Sequence, residues 1–170
     1  VREVRVVPLG DPANILPALE KGVVDAAILD TPARWMARKM GFRELVDFDE
    51  LGVRFPYVGV STLRATVKKS PDTTVKLVAT LTDAIQVFKT NKEKSLLVMK
   101  KYLRGVSGEI LGETYGYFSS RTQKFPYPSM EGIKTGLDKL SDQYPQAKSL
   151  RPREVADLSV VKQVESGGVG

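Results

Sequence analysis

Residues 15–32 read ILPALEKGVVDAAILDTP, and the fold class turns on how they are read. Ile15, Leu16, Ala18 and Leu19 fall on one face of a helix. Glu20-Lys21-Gly22 closes it, because glycine takes the left-handed conformation that ends a helix. Residues 23–29 are then almost continuously apolar, with Asp25 the one carboxylate. A short unbroken apolar run suits a strand covered on both faces, as in a parallel sheet. Asp30-Thr31-Pro32 stops that strand and predicts another helix, with Thr31 as N-cap and Pro32 at the first helical position.

Upstream, the valine-rich residues 2–9 alternate weakly, and residues 3–8 are expected to form a strand. Gly10-Asp11-Pro12 follows as a turn, an N-cap and a first helical residue, with the helix running over residues 13–21. With a second strand over residues 24–29 this makes a β-α-β unit, its strands parallel and its crossover right-handed. Downstream, a helix over residues 32–40 is closed by Gly41, and residues 45–48 read as a third strand before a loop over 49–54. Residues 55–62 are β-prone, with Gly59 inside them, and read as a hinge leaving the first lobe.

Beyond the hinge the period changes. Val75, Val78, Leu81, Ile85 and Phe88 recur at steps of three and four, an apolar stripe along a long helix that starts at Ser70-Pro71-Asp72. Leu96, Met99 and Leu103 mark a second helix, Ile110, Leu111, Tyr115 and Phe118 a third, and Met130, Ile133, Leu137 and Leu140 a fourth. FPYP at residues 125–128 predicts a rigid extended connector. A polar loop over 143–152, a short helix over 155–164 and a glycine-rich end at 167–170 complete the chain. The expected organisation is an α/β lobe over residues 1–54, a hinge and crossover strand over 55–70, and a helical segment over 71–170.

Composition narrows the chemistry. The 170 residues contain no cysteine and no histidine. That removes disulfides, thiolate chemistry, the usual zinc ligand sets and any Ser-His or Cys-His pair. No phosphate-binding GxxxxGK or GxGxxG pattern occurs. No cofactor and no metal are expected, and no catalysis. The net charge of +6 is scattered, its longest basic runs being the pairs Lys68-Lys69 and Lys100-Lys101, so nucleic acid is not the expected partner. Hydrophobic content of 42% suffices for a core, and no run of eighteen apolar residues predicts a membrane span. The chain opens on an apolar stretch, residues 4–9, without a signal peptide. We expect mid-domain sequence there: a fragment or a shortened relative of a larger protein.

In an open parallel sheet, ligands sit beyond the carboxyl ends of the strands. Those ends are Gly10 and Asp11 after the first strand, and Asp30, Thr31 and Pro32 after the second. Free N–H groups of the following helices would favour an anion there. Asp11 and Asp30 favour an amine or a hydroxyl-rich ligand instead, and the charge of the ligand stays open. Asp11 and Thr31 read equally as plain helix caps. Tyr57 and Gly59 on the hinge strand are further candidate ligand-binding residues. Trp35, the one tryptophan, and Tyr127 suit either core packing or a cleft.

ALEKGVVDAAILDTPARWMARKMGFRELVDFDELG, residues 18–52, resembles the substrate-binding proteins of ABC importers of the nitrate/sulfonate/taurine and thiamine-precursor type. The likeness is carried by the order and spacing of Ala18, Leu19, Gly22, Asp25, Pro32 and Gly41-Phe42. It continues through residues 55–66, AIQVFKTNKEKSLLVMKKYL at 84–103 and FPYPSMEGIKTGLDKL at 125–140. DLSVVKQVESGG at 157–168 is similar to the family's closing helix. The resemblance implies a partial type II periplasmic-binding-protein fold, a β-α-β lobe two followed by helices returning to lobe one. It further implies that a small solute is bound in an inter-lobe cleft and delivered, without catalysis, to an importer permease in the periplasm or another extracytoplasmic space. Helices without the lobe-one sheet leave stripes such as residues 78–88 in need of cover, so a homodimer through exposed apolar helices is expected. Two other readings stay in view. One is a ligand-sensing regulatory domain. The other is an enzyme like those of thiamine-precursor synthesis, which the missing histidine and cysteine disfavour.

Overall fold

In the computed structural model, which describes residues 3–52 and 54–167, the chain is helical: 58% helix and, among the described residues, no strand and no sheet. Among the described residues nine α-helices follow one another: α1 Ile15–Glu20, α2 Ala33–Lys39, α3 Arg64–Lys69, α4 Pro71–Thr90, α5 Lys92–Tyr102, α6 Gly108–Arg121, α7 Met130–Leu140, α8 Pro152–Val155 and α9 Ser159–Ser166. Single 3-10 turns, Pro12–Asn14 and Pro145–Ser149, precede α1 and α8.

This overturns the α/β expectation and with it the β-α-β lobe and the type II periplasmic-binding-protein architecture. Residues 4–9, 26–30, 42–47 and 54–63 are irregular rather than laddered. The physical reason lies in what a strand is. A helix closes its hydrogen bonds within one segment, whereas a strand exists only beside another strand. The reading of residues 23–29 assumed cover on both faces, yet Ile28 is 73% exposed and Val6 86% exposed. Val53 and residues 168–170, which entered the expected loop and glycine-rich end, lie outside the described residues.

The helices follow their sequence marks closely. Gly22, at φ 66°, ends α1 as its position predicts. The expected helix over 13–21 splits into the Pro12–Asn14 turn and α1, and that over 155–164 into α8 and α9. Helix α3 falls where the hinge strand was expected to continue.

The chain divides into two compact units, Val1–Val46 with Leu96–Tyr117, and Asp47–Ser95 with Phe118–Gly170. In the first, Leu16 and Ala18 of α1, Ala37 of α2, and Ile110, Leu111 and Tyr115 of α6 form the buried set. Thr114 is buried among them and donates its hydroxyl to the Ile110 carbonyl one turn back, at 2.7 Å. Trp35 of α2 meets Tyr117 of α6 edge to face, ring centroids 5.5 Å apart. Lys39 pairs with Glu109, and Arg34 with Glu44 at 2.7 Å.

In the second unit α4 packs on α9, and α7 packs on α8 and on the Pro145–Ser149 turn. Val161 and Val164 of α9 are buried, and the stripe of α4 from Val75 to Phe88 is half-buried. The stripe that was expected to need a partner copy therefore has α9 against its helix. Ser129 caps α7 by accepting from the Gly132 N–H at 3.0 Å, and Asn91 caps α5 through the Lys94 N–H at 2.9 Å.

Candidate functional site

Gly10 turns the chain at φ 74°, a value that side-chain-bearing residues rarely take. The turn delivers Asp11 to the head of the Pro12–Asn14 turn, where its Oδ1 accepts from the Ala13 N–H at 2.8 Å. Asn14 reaches back to the Leu9 carbonyl at 3.1 Å and fastens the two sides of the turn. Pro12 and Ile15 are thereby presented side by side.

Residues 28–33 bring the opposite wall. Asp30 accepts the Arg34 N–H on its carbonyl at 2.8 Å, and Pro32 accepts from Trp35 at 3.0 Å and Met36 at 3.2 Å. Helix α2 begins at Ala33 with Pro32 as its N-cap and no side-chain cap bond. The expected cap at Thr31, with Pro32 one place inside the helix, is thus one residue out. The Thr31–Pro32 peptide is cis.

Between these walls lies a pocket of about 190 Å³, lined by Pro12, Ile15, Ile28, Leu29, Asp30 and Ala33. It is largely apolar with one carboxylate residue at its edge, and it belongs wholly to the first unit. Five candidate residues flank or line it: Asp30 lines it directly, Gly10 and Asp11 adjoin Pro12, and Thr31 and Pro32 link Asp30 to Ala33. Tyr57 and Gly59 belong to the second unit and are exposed on the irregular segment before α3.

The anion argument from helix N-termini weakens here. Helices α1 and α2 have only six and seven residues, so few peptide dipoles align. The Asp11 carboxylate also already holds one of the first free N–H groups. Sequence reading missed Ile15 and Ile28 as lining residues, because apolar residues inside expected elements were assigned to the core. Their adjacency to Gly10-Asp11-Pro12 and Asp30-Thr31-Pro32 was the available mark.

Two further polar arrangements lie in the second unit. The Tyr127 hydroxyl donates to the Glu165 carboxylate of α9, and that bond holds the phenol pKa above its ordinary 10.0. Asp157 accepts from the Ser159 hydroxyl at 2.6 Å and the Ser159 N–H at 2.8 Å, which lowers its pKa below 3.8. Both serve the position of α9. Among the described residues no group of three or more acidic side chains is placed to hold a metal ion. Among the described residues, too, no helix is long and apolar enough to cross a membrane.

Comparison with protein-family models, with curated proteins and with solved structures found no match to this chain.

Proposed function

We propose that this chain binds a small solute, in the pocket between residues 10–15 and 28–33, and releases it unchanged. The observation that carries the reading is the convergence of two turn segments, on either side of α1, on one apolar pocket lined by Asp30 as well. A volume of about 190 Å³ lies below the ~300–1,000 Å³ of pockets for drug-sized ligands and suits a small molecule. The resemblance of residues 16–140 to importer binding proteins supports the same reading. On it, the chain works outside the cytoplasm and hands its solute to a membrane permease.

Native mass spectrometry of the purified chain, set beside its denatured mass, tests this. The expected result is a small adduct that is lost on denaturation. Trp35, two residues beyond Ala33, gives a second readout, since solute entering the pocket changes the surroundings of α2 and so its fluorescence. A chain that carries no adduct, and whose Trp35 emission ignores a panel of small amines, sulfonates and polyols, overturns the reading.

A further inference from the structure

The pocket beside α1 has a one-sided chemistry. Five of its six lining residues, Pro12, Ile15, Ile28, Leu29 and Ala33, are apolar, and the sixth is Asp30. None of the six carries a positive charge. Arg34, next along α2 from Ala33, does not line the space, and its guanidinium pairs with Glu44 at 2.7 Å. A second carboxylate residue, Asp11, adjoins Pro12.

Each class of small solute meets this wall differently. A polyol needs a hydrogen-bond partner for every hydroxyl that leaves water, and the five apolar side chains offer none. An anion would sit beside Asp30 with no cation in the wall to offset the repulsion. Helix N-termini supply no substitute, because α1 and α2 are short and the Asp11 carboxylate already takes the Ala13 N–H. An ammonium on a hydrocarbon body suits both parts of the wall. Its carbons cover the isoleucines and the leucine, and its N–H groups donate to the one carboxylate. A carboxylate has about four lone-pair sites, so an ammonium joins the interactions that Asp30 already makes.

We propose that the solute class of this pocket is a small primary amine with a compact hydrocarbon body, held as its ammonium by Asp30. The assignment deepens the solute-binding reading and rests on it.

Isobutylammonium, isobutanol and isobutyrate share one carbon skeleton and differ in the head group. Glycerol stands for the polyols, and methylammonium carries the charge without the hydrocarbon. Each is titrated into the chain by calorimetry, with Trp35 fluorescence alongside. Isobutylammonium is expected to bind at least about fivefold more tightly than isobutanol, as a charged hydrogen bond requires. It is expected to bind at least about tenfold more tightly than methylammonium, through the buried carbons. Isobutyrate and glycerol are expected to bind more weakly than isobutanol. Asp30→Asn is expected to remove most of the gap between isobutylammonium and isobutanol and to leave isobutanol unchanged. Should Asp30→Asn lose its helical circular dichroism, the order of the probes on the parent chain decides alone. Tighter binding of isobutanol, isobutyrate or glycerol than of isobutylammonium overturns the amine and leaves solute binding standing. Isobutylammonium that binds no more tightly than methylammonium, or that ignores Asp30→Asn in a folded chain, overturns it too, since the ammonium is then held away from this wall. Silence from every probe also overturns the amine. Native mass spectrometry then separates the two readings: an adduct of another class keeps solute binding, and its absence ends both.

Discussion

Gly132, in the first turn of α7, lies against the main-chain nitrogen of Pro56: a Cβ added to Gly132 would stand 3.3 Å from it. It would also stand 3.2 Å from the Ser129 Oγ that caps the helix. One turn on, the atoms nearest a Cβ at Gly136 would be side-chain carbons of Phe55 and Pro56, at 3.8–3.9 Å. The two glycines therefore respond differently to the same change. Gly136→Ala gains helix propensity at ordinary contact distance and is expected to stabilise by about 0.5–1 kcal/mol. Gly132→Ala must displace backbone and a capping hydroxyl, and is expected to lower the melting temperature. Thermal unfolding of both variants beside the parent checks the contrast, and a matching rise in both would show that the Phe55-Pro56 backbone yields freely.

Lys89 of α4 donates its Nζ to the carbonyls of Ser119 at 2.8 Å and Thr122 at 2.7 Å. These carbonyls end α6, where the helix leaves acceptors unmatched and concentrates negative charge. Lys89→Met keeps the stem and removes the donor. It is expected to cost about 1.5–3 kcal/mol, the range of a hydrogen bond from a charged donor. Amide hydrogen exchange in the last turn of α6 is expected to accelerate more than exchange in α7. Uniform acceleration would mean that the lysine supports the fold generally and not this helix end.

Helices were legible because each carries its own evidence. The steps of three and four in α4, and the spacing of Met130, Ile133, Leu137 and Leu140 in α7, are local facts that tertiary context had no need to change. Strands were not legible, because an apolar run states that a segment suits pairing and says nothing of whether a neighbour exists. Residues 24–29 met the pattern and found no ladder. The site was half legible for a related reason. Gly10, Asp11, Asp30 and Pro32 stand out as turn chemistry, and turns are where pockets open. Ile15 and Ile28 line the same pocket, yet nothing local separates a pocket-lining isoleucine from a core one.

Asp157 carries a pH prediction of definite sign. Its carboxyl is held below 3.8 first by the Ser159 hydroxyl and then by the Ser159 N–H. A carboxyl depressed by folding contributes stability above its ordinary pKa and loses it as pH falls through the lowered value. The start of α9 is therefore expected to loosen only in acid below that range. Ser159→Ala removes the larger cause, and the Asp157 titration followed by carboxyl NMR is expected to move back up towards 3.8. An unmoved titration would leave the Ser159 N–H and the charge of Arg64 as the cause.

Tyr127 has the opposite sense. Its phenol is held above 10.0 chiefly by donating to Glu165, whose charge also opposes ionisation. An acid whose pKa is raised by folding contributes stability below its ordinary value and loses it as pH rises through the raised one. The tie between residue 127 and α9 is thus expected to persist through neutral pH and fail only in strong alkali. Ultraviolet titration of the parent, with Tyr127→Phe to identify the late-ionising phenol, reads this directly. Glu165→Gln is expected to return that phenol towards 10.0, and no change would assign the shift to burial alone.

Ala33 offers the sharpest handle on the pocket. It is the first residue of α2 and lines the space opposite Pro12 and Ile15. Ala33→Leu adds three carbons to a pocket of about 190 Å³, at a helix position where leucine costs little relative to alanine, so the helix survives while the space shrinks. Solute affinity is expected to fall at least about tenfold, since a displaced ligand loses more than ~1.4 kcal/mol of contact. Circular dichroism is expected to match the parent. Asp30→Asn then reads the solute's charge, because removing the carboxylate weakens a cation and strengthens an anion at the same edge. Unchanged binding in Ala33→Leu, with the helix intact, would move the solute site away from residues 10–33 altogether.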